Sequence, residues 1–364
     1  MLVNNWRFWV ALAVSALFML LLLYQVDLGE IRIALLEANY LYVAPAIALY
    51  FVAVYFRSLR WKYLLSPMRT FPVSRLYPVI VIGYMSNNLL PARLGELVRS
   101  YYLAKRENFN TSAALATIAV ERVYDGITLL AFAAVSAPVL FLLGQLDGGG
   151  GLSRTAWVLI GGLMVALFLG ALGFLTCLSV VPRFMDLVQW CTGIIPARWG
   201  RSQVQGLVLT FVAGLKVLSS PKQHMALFLF SLPVWLFEAS TYFLIGYSFG
   251  IDQLFGSVWT FILVVLLLTA TSNLATSLPS AIGGIGPFEV VAQQTLLAMG
   301  VGASVGAAYA GFVHLIALWL PVNLLGLALA WKQNLSIKQL IGAGDVPEPE
   351  PDAEWSGPPL EELP

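Results

Sequence analysis

The chain has 364 residues, of which 59% are hydrophobic and only 11% are charged, and its formal net charge at pH 7 is +1. Soluble domains carry about 25% charged residues, so this composition excludes an ordinary soluble protein and indicates a polytopic membrane protein. Nothing in the sequence indicates nucleic-acid binding. Cys177 and Cys191 fit neither a disulfide framework nor a metal site.

A membrane-spanning helix needs about 20 consecutive apolar residues. Several apolar runs suit that role, at residues 8–24, 40–56, 122–143, 156–181, 225–249 and 304–331. The first run follows a basic residue, as in a signal peptide, but no small-x-small cleavage site closes it. We therefore expect a first helix that is retained.

Two further apolar runs, 73–90 and 257–277, each lead into a segment that interrupts the helical pattern. The first broken segment, residues 87–96, reads Asn87-Asn88-Leu-Leu-Pro91 and then Gly95-Glu96. The second broken segment, residues 273–289, runs from Asn273 through Leu278-Pro279 to Gly283-Gly284-Ile285-Gly286-Pro287-Phe288-Glu289. Proline and glycine interrupt helices, and hydrocarbon does not hydrogen-bond the freed backbone groups. We predict that both segments build a site inside the membrane.

Lysine and arginine in short loops indicate which loops are cytoplasmic. Residues 57–75 hold five basic residues and no acid, and residues 182–223 hold five against one acid. We place both stretches and both chain termini in the cytoplasm. Counting the membrane crossings from these cytoplasmic stretches then places the first broken segment on the cytoplasmic side of the membrane and the second on the outer side. Inverted repeats require such an arrangement.

The sequence therefore predicts an all-α polytopic membrane protein in the bacterial inner (plasma) membrane. We expect about eight membrane helices, including the two broken or re-entrant segments in inverted-repeat arrangement. The membrane domain covers residues 1–341, with halves at 1–181 and 224–341. The linker 182–223 forms either an amphipathic helix on the inner leaflet or an ordinary packed cytoplasmic connection. Residues 342–364 hold seven acids, many prolines and no basic residue, and read as a disordered tail.

Polar and charged residues gather within and after the first broken segment, at Asn88, Arg93, Glu96, Arg99, Glu121, Arg122 and Asp125. A charged side chain at the centre of a bilayer costs at least about 2.5–3.5 kcal/mol. These residues therefore need partners or water. One interpretation is that they line a pathway, and the other is that they form ion pairs that lock helices together.

The second half of the chain offers Asn273, Gly284, Gly286, Glu289 and His314 as candidate site residues. Proline suits the first turn of a helix, so we expect a helix to begin at Pro287. Its N-terminal amides favour an anion such as a lipid phosphate. The alternative is that Glu289 complements its own helix terminus. His314 is either a hydrogen-bonded interior residue or a ligand-binding one.

Enzymatic motifs are scarce in this sequence. It contains no Walker A motif, no His-Glu-x-x-His motif and no cysteine pair at zinc spacing. With two histidines in total, metal or histidine-base catalysis has little to build on. We expect no enzymatic activity, no cofactor and no bound metal, and a membrane-embedded transferase is the weakest of the hypotheses.

Four motifs that follow one another along the chain resemble those of a known family. The motifs are Asn88-Leu-Leu-Pro91-Ala-Arg-Leu-Gly95-Glu96-Leu-Val-Arg99, Glu121-Arg122-Val-Tyr-Asp125, Leu278-Pro279 with Gly283 to Glu289, and Trp319-Leu-Pro321. Over about residues 5–335 the chain resembles the flippase-like integral membrane family, of UPF0104 type, that is related to the transmembrane domain of lysylphosphatidylglycerol synthases. The resemblance implies about eight helices with re-entrant segments and the movement of a lipid between leaflets.

Two departures from that family are visible. The soluble aminoacyltransferase domain of the bifunctional synthases is absent from this sequence, so lysyl transfer is not implied. The family often carries an arginine near the start of the last helix, where this chain has His314.

We predict flippase-like translocation of an anionic phospholipid or a polyprenyl-phosphate-linked lipid, with the head group in a polar cavity between the two broken segments. Arg93, Arg99 and Arg122 would contact the phosphate. The acidic residues would balance these charges. The alternative is a non-transporting accessory or scaffold protein for a membrane glycosyltransferase or lipid-modifying enzyme.

Overall fold

The computed structural model describes residues 6–90, 94–146, 220–277, 283–333 and 335, together with individual helical residues between 159 and 173. All regular secondary structure within these residues is helical, which confirms the predicted all-α fold. The α-helices are α1 (Trp6–Tyr24), α2 (Leu28–Glu37), α3 (Val43–Leu65), α4 (Val73–Leu89), α5 (Gly95–Glu107), α6 (Thr111–Leu142), α7 (Pro221–Ser248), α8 (Val258–Ala275), α9 (Pro287–Leu297), α10 (Ala303–Gly311) and α11 (Leu320–Lys332). A π-helical segment, Phe312–Trp319, joins α10 to α11.

Five stretches of the described chain are helical, long and apolar enough to cross a membrane, and they are Tyr40–Leu65, Thr111–Leu142, Lys222–Ser248, Val258–Ala275 and Ala303–Lys332. A sixth crossing results if α1 and α2, which are bent by 85° relative to each other, count as one broken span. The protein is therefore an integral membrane protein. The total of about eight helices and the inverted repeat stay predictions, because most of the run 156–181 lies outside the described residues.

Helix α8 also bears on the predicted orientation. Its 18 residues have a mean hydropathy of 2.0 and suffice to cross the bilayer. The expectation that this run enters and leaves on the outer side therefore also stays a prediction. The linker 182–223 lies almost entirely outside the described residues, and the tail 342–364 lies wholly outside them.

Helix α2 lies between the apolar runs 8–24 and 40–56. It begins because the Asp27 carboxylate accepts hydrogen bonds from the amides of Gly29 and Glu30, at 2.6 and 3.2 Å. The amide of Asp27 itself donates to the hydroxyl of Ser304, at 3.0 Å. This contact fixes the bend after α1 against the start of α10.

Helix α3 continues well into the stretch 57–75 that the sequence analysis assigns to a cytoplasmic loop. It ends at Leu65, so Arg57 and Arg60 lie inside the protein, and they are 5% and 0% exposed. That part of the loop assignment is wrong. Arginines are counted as loop residues because a lone charge is costly in the membrane, whereas these two have carboxylate partners on neighbouring helices.

Both predicted interruptions are present as breaks between helices. Helix α4 ends at Leu89, and Leu90 is extended, since a residue before proline avoids the α conformation. Helix α9 begins at Pro287 after glycines at 283, 284 and 286, whose φ angles are 56°, 86° and 99°. Those angles suit glycine alone among common residues. Residues 91–93 and 278–282, within the two breaks, lie outside the described residues.

Glycines let helix α4 lie very close to two neighbouring helices, α5 and α11. Membrane helices gain little from burying apolar surface against lipid, so small residues at their interfaces matter more than in water. A Cβ atom on Gly95 would lie 2.5 Å from the amide nitrogen of Asn87, and one on Gly326 would lie 2.6 Å from the Cβ of Met85. Helix α4 therefore packs tightly between α5 and α11.

Candidate functional site

A cavity of about 440 Å³ lies between the two broken segments. The first broken segment contributes Asn87, Asn88, Leu90 and Glu96 to its wall. The second contributes Asn273, Leu274, Thr276, Ser277, Gly283, Gly284 and Phe288. The rest of the wall comes from α3, α4, α6, α7 and the π-helical segment, through Tyr50, Arg57, Tyr84, Arg122, Asp125, Gly126, Leu129, Trp235, Glu238, His314, Leu318 and Trp319. The cavity therefore lies where the sequence predicts it.

Part of the cavity wall belongs to a group of eight charged side chains, which we call the ion-pair cluster. Some of its members line the cavity, and the others are buried behind them. It contains four arginines and four carboxylates, namely Arg57, Arg60, Arg99, Arg122, Glu96, Glu121, Asp125 and Glu238. With all eight groups ionised, the cluster is formally neutral. Neutrality lowers the cost of holding so many charges away from water.

The inner part of the ion-pair cluster is closed to the cavity. Glu121 lies 2.6 Å from Arg99 and 3.6 Å from Arg60, and the three side chains are at most 3% exposed. Arg60 also donates to Asp125 and to the hydroxyl of Ser231, both at 2.8 Å. These contacts join α3, α5, α6 and α7 rather than presenting charge to a ligand.

The outer part of the ion-pair cluster faces the cavity. Arg122 lies 3.3 Å from both Glu96 and Asp125, and the side chains of Arg122 and Glu96 are 36% and 30% exposed. Arg57 donates to Glu238 at 2.5 Å. Its guanidinium also lies 4.7 Å from the ring centre of Trp235, an attractive cation–π contact. The Arg122 guanidinium is partly accessible from the cavity, so an anionic group in the cavity can reach it.

Other parts of the cavity wall carry neutral polar side chains. The amide of Asn273 donates to the hydroxyl of Tyr242 at 2.8 Å, and that of Asn88 donates to Asn323 at 3.2 Å. Within the part of the chain that the structure describes, the buried amide oxygen of Asn87 and the indole nitrogen of Trp319 have no hydrogen-bond partner. Unpaired buried polar groups are costly, so this wall is suited to a polar ligand.

Glu289 and His314 form a separate pair that contacts the turn at residues 283–286, which we call the glycine turn. One Glu289 oxygen accepts from the amide of Gly286 at 2.7 Å, and the other lies 2.6 Å from Nδ1 of His314. Nε2 of His314 lies 3.1 Å from the carbonyl oxygen of Gly283. The imidazole also stacks on the ring of Phe288, with ring centres 4.2 Å apart. Glu289 thus complements its own helix terminus, as the second of the two interpretations expects.

The predicted site residues divide into those on the cavity wall and those behind it. Asn88, Glu96, Arg122, Asp125, Asn273, Gly284 and His314 line the wall. Arg99 and Glu121 lie in the closed part of the ion-pair cluster. Gly286 and Glu289 lie behind the wall, where Gly286 packs against Ser15 of α1. Arg93 lies outside the described residues. A binding role for any of them stays a prediction.

Sequence reasoning missed Arg57 and Arg60 of the ion-pair cluster and the aromatic part of the wall. Both arginines lie on α3, and Tyr50, Tyr84, Trp235 and Trp319 are ordinary membrane-helix residues by composition. A signal existed for the arginines, because they are three residues apart at the end of an apolar run.

A serine-hydrolase spacing, Gly302-Ala-Ser304-Val-Gly306, also escaped the sequence analysis. In the structure Ser304 begins α10, is 3% exposed and accepts a hydrogen bond from the amide of Asp27. Among the described residues no histidine or carboxylate hydrogen-bonds it. The spacing therefore has no triad geometry around it.

Comparison with known proteins agrees with this architecture. The family described as the lysylphosphatidylglycerol synthase TM region matches residues 8–325. UPF0104 membrane proteins of Methanothermobacter thermautotrophicus and Pyrococcus horikoshii are 24% and 23% identical to this chain, over 82% and 90% of it and over 88% and 98% of their own lengths.

A longer relative has a name that refers to an activity. The protein of Haloferax volcanii named Glycosyltransferase AglD is 27% identical over 77% of this chain. The match covers only 47% of that protein, so the chain spans less than half of the relative's length. The family match confirms the predicted resemblance: the chain belongs to the family of the lysylphosphatidylglycerol synthase transmembrane region.

Proposed function

We propose that the protein moves a lipid with a phosphate-bearing head group between the two leaflets, and that it does so without enzymatic chemistry. The substrate is an anionic phospholipid or a polyprenyl-phosphate-linked lipid. Its head group occupies the cavity, while its hydrocarbon chains stay in the bilayer. The observation that supports this proposal best is a cavity of about 440 Å³ between two broken membrane segments, lined by both charged and neutral polar side chains.

Arg122 is the residue that we assign to the phosphate. A guanidinium binds phosphate through two parallel hydrogen bonds, and this one is 36% exposed on the cavity side. To bind, the phosphate displaces Glu96, whose carboxylate lies 3.3 Å from Arg122 and is itself partly accessible. Displacement of one anion by another keeps the binding weak enough for release, which a translocator needs.

Reconstitution of the full-length protein tests the proposal directly. Vesicles carry phosphatidylglycerol or a short polyprenyl-phosphate sugar, each labelled with nitrobenzoxadiazole, and dithionite quenching measures exchange between leaflets. We expect the protein to accelerate exchange of at least one of them. Failure with both classes of lipid contradicts the proposal.

A matched pair of arginine variants tests the role of Arg122. Arg122→Gln removes the charge from the cavity, and we expect at least a tenfold slower exchange. Arg75→Gln is the control, because Arg75 also pairs with a carboxylate, Glu107 at 2.8 Å, but its side chain is 53% exposed and lies outside the cavity wall. Equal rates for the two variants would remove the reason for assigning the phosphate to Arg122.

A second candidate function is an accessory or scaffold role for a membrane glycosyltransferase or lipid-modifying enzyme. The closed inner part of the ion-pair cluster favours it, because those charges hold helices together rather than face a ligand. The name of the Haloferax volcanii relative points the same way. Under this hypothesis Glu96→Gln and Arg122→Gln leave the partner enzyme's product formation unchanged in cells, and the purified protein does not accelerate lipid exchange.

A further inference from the structure

One histidine holds the glycine turn of the second broken segment from two sides. Nδ1 of His314 faces a carboxylate oxygen of Glu289 at 2.6 Å, and Nε2 faces the carbonyl oxygen of Gly283 at 3.1 Å. Neither a carboxylate nor a carbonyl oxygen can donate a hydrogen bond. When Glu289 is ionised, both ring nitrogens carry hydrogen if both contacts are hydrogen bonds, and the ring is then an imidazolium.

Loss of one proton from the ring breaks this arrangement. A neutral imidazole keeps a single N–H, so one of its nitrogens would present a lone pair to an oxygen. Either the contact with Glu289 or the contact with Gly283 must then open. The state of the turn is thus tied to one proton.

The glycine turn forms part of the cavity wall, so a change in its contacts with His314 changes the shape of the cavity. Gly283, Gly284 and His314 are all part of the cavity wall. His314 lies in the π-helical segment Phe312–Trp319, inside the apolar helical stretch Ala303–Lys332. Short π-helical segments inside α-helices are frequent at functional sites. An opening of the contact with Gly283 moves the backbone that separates the head-group space from α9.

The other ionisable groups around His314 are engaged differently. The elements packed on the π-helical segment are α3, α7, α10 and α11, and α9 supplies Glu289. On these elements, the ionisable groups on the cavity wall are Tyr50, Arg57 and Glu238. Arg57 and Glu238 pair with each other at 2.5 Å. The hydroxyl of Tyr309 on α10 donates to a backbone carbonyl at 2.8 Å. His314 and Glu289 therefore form a pair of their own, apart from the ion-pair cluster.

We propose that His314 and Glu289 form a proton-binding site that couples lipid translocation to proton movement. This inference rests on the proposed function and adds its energy source. In each cycle a ring nitrogen of His314 accepts a proton from water on one side of the membrane, and the turn closes as in the structure. The same proton later passes to water on the other side, and the turn opens. An O–H bond of hydronium breaks as the N–H bond forms, and on release the N–H bond breaks as water on the other side gains the proton.

The test is leaflet asymmetry under a pH gradient. Vesicles of phosphatidylethanolamine and phosphatidylglycerol contain the full-length protein and a labelled lipid that it exchanges, and their outside pH is shifted by one unit. For one proton per lipid, we expect the leaflet ratio of the label to approach tenfold, since one pH unit corresponds to about a tenfold ratio. Pyranine trapped inside the vesicles reports the accompanying proton movement.

Two variants distinguish a role in coupling lipid exchange to protons from a purely structural role of His314 and Glu289. His314→Arg keeps a positive charge and donors on the same helix but does not release its proton, so we expect the leaflet asymmetry under the gradient to disappear. The rate of exchange at equal pH on both sides is measured beside it, so that a loss of transport is told apart from a loss of coupling. Glu289→Gln reduces the gradient response in the same way. His224→Asn is the control, because His224 is the other histidine and its ring contacts the hydroxyl of Tyr124. It should keep the full response.

The outcomes distinguish this inference from the proposed function. Fast exchange by the unmodified protein with equal leaflets under the gradient overturns proton coupling and leaves the proposed function intact. A full gradient response in His314→Arg also overturns it. Absence of exchange for every lipid overturns the proposed function itself. The measurement on the unmodified protein decides the matter even if a variant fails to fold.

Discussion

Glu121 shows at the scale of one residue why the inner ion pairs are structural. Its carboxylate serves two arginines, Arg60 and Arg99, and none of the three has access to water. Arg99 is held further by the ring of Trp61, whose centre lies 3.7 Å from its guanidinium carbon. A buried pair contributes little net stability compared with an apolar replacement, but removal of one partner leaves a charge that nothing solvates.

We expect Glu121→Ala to lower the free energy of unfolding by about 3–5 kcal/mol. Titration with a denaturing detergent measures the change. Arg75→Ala is the reference, since it breaks an ion pair whose arginine is 53% exposed and should cost about 0–1 kcal/mol. Equal effects of the two changes would mean that water reaches the inner part of the ion-pair cluster.

Gly283 is the residue at which the backbone conformation matters most for the site. Its φ is 56°, and a Cβ atom there would lie 2.8 Å from the indole nitrogen of Trp319. We expect Gly283→Ala to slow lipid exchange at least tenfold and to destabilise the fold by about 1–3 kcal/mol. Gly300→Ala measures the cost of the positive φ alone, because Gly300 has a φ of 86° and open space around it. Similar losses in the two variants would show that the contact with Trp319 does not matter.

At the scale of elements, the helices meet through glycines and aromatic rings. A Cβ atom on Gly246 of α7 would overlap the end of the Phe261 ring on α8. We expect Gly246→Ala to separate these helices and to cost about 1–3 kcal/mol of unfolding free energy, as overpacking does.

A second substitution makes that prediction specific to the interface. Phe261→Leu removes the ring atoms that Gly246→Ala would meet. The double variant should therefore recover most of the stability that Gly246→Ala loses, and a double-mutant cycle measures this coupling. Additive effects in the cycle would place the cost of Gly246→Ala elsewhere.

The same scale shows what the sequence could and could not predict. Both breaks were predictable because Pro91, Pro279 and the glycines near 283 act locally. The cavity between them was predictable from their correspondence. Arg57 and Arg60 were not assigned to the site, because their partners lie on helices more than 60 residues away along the chain. Likewise the start of α2 depends on a cap at Asp27, in a short stretch between two apolar runs.

At the scale of the whole molecule, contacts between α3 and α7 fix which loops share a side. The two helices are antiparallel, because the hydroxyl of Thr241 donates to the carbonyl of Ala46 while the rings of Phe230 and Tyr63 pack 5.2 Å apart. The amide of Asn39 also donates to the carbonyl of Ser248, at 2.8 Å. The residues around 39 and 250 therefore lie at one end of the helix pair, and the loop 66–72 lies at the other.

Lys62, Arg69 and Arg75 lie in or beside the loop 66–72, and together with this arrangement they predict the orientation. In a chain whose two natural cysteines are replaced by serine, Thr70→Cys should react with an impermeant maleimide only after the cells are opened. Gln253→Cys should react on intact cells. Labelling of both from the same side would contradict the antiparallel pair, and the reverse result would invert the assigned orientation.

The balance of four arginines against four carboxylates in the ion-pair cluster has an electrical consequence. A membrane voltage acts on net charge, at about 2.3 kcal/mol per elementary charge for 100 mV, so it exerts no net force on these eight groups together. The charge of the head group is then what the voltage can drive. A singly charged lipid that crosses in the company of one proton carries no current, whereas the same lipid alone is pushed toward the positive side.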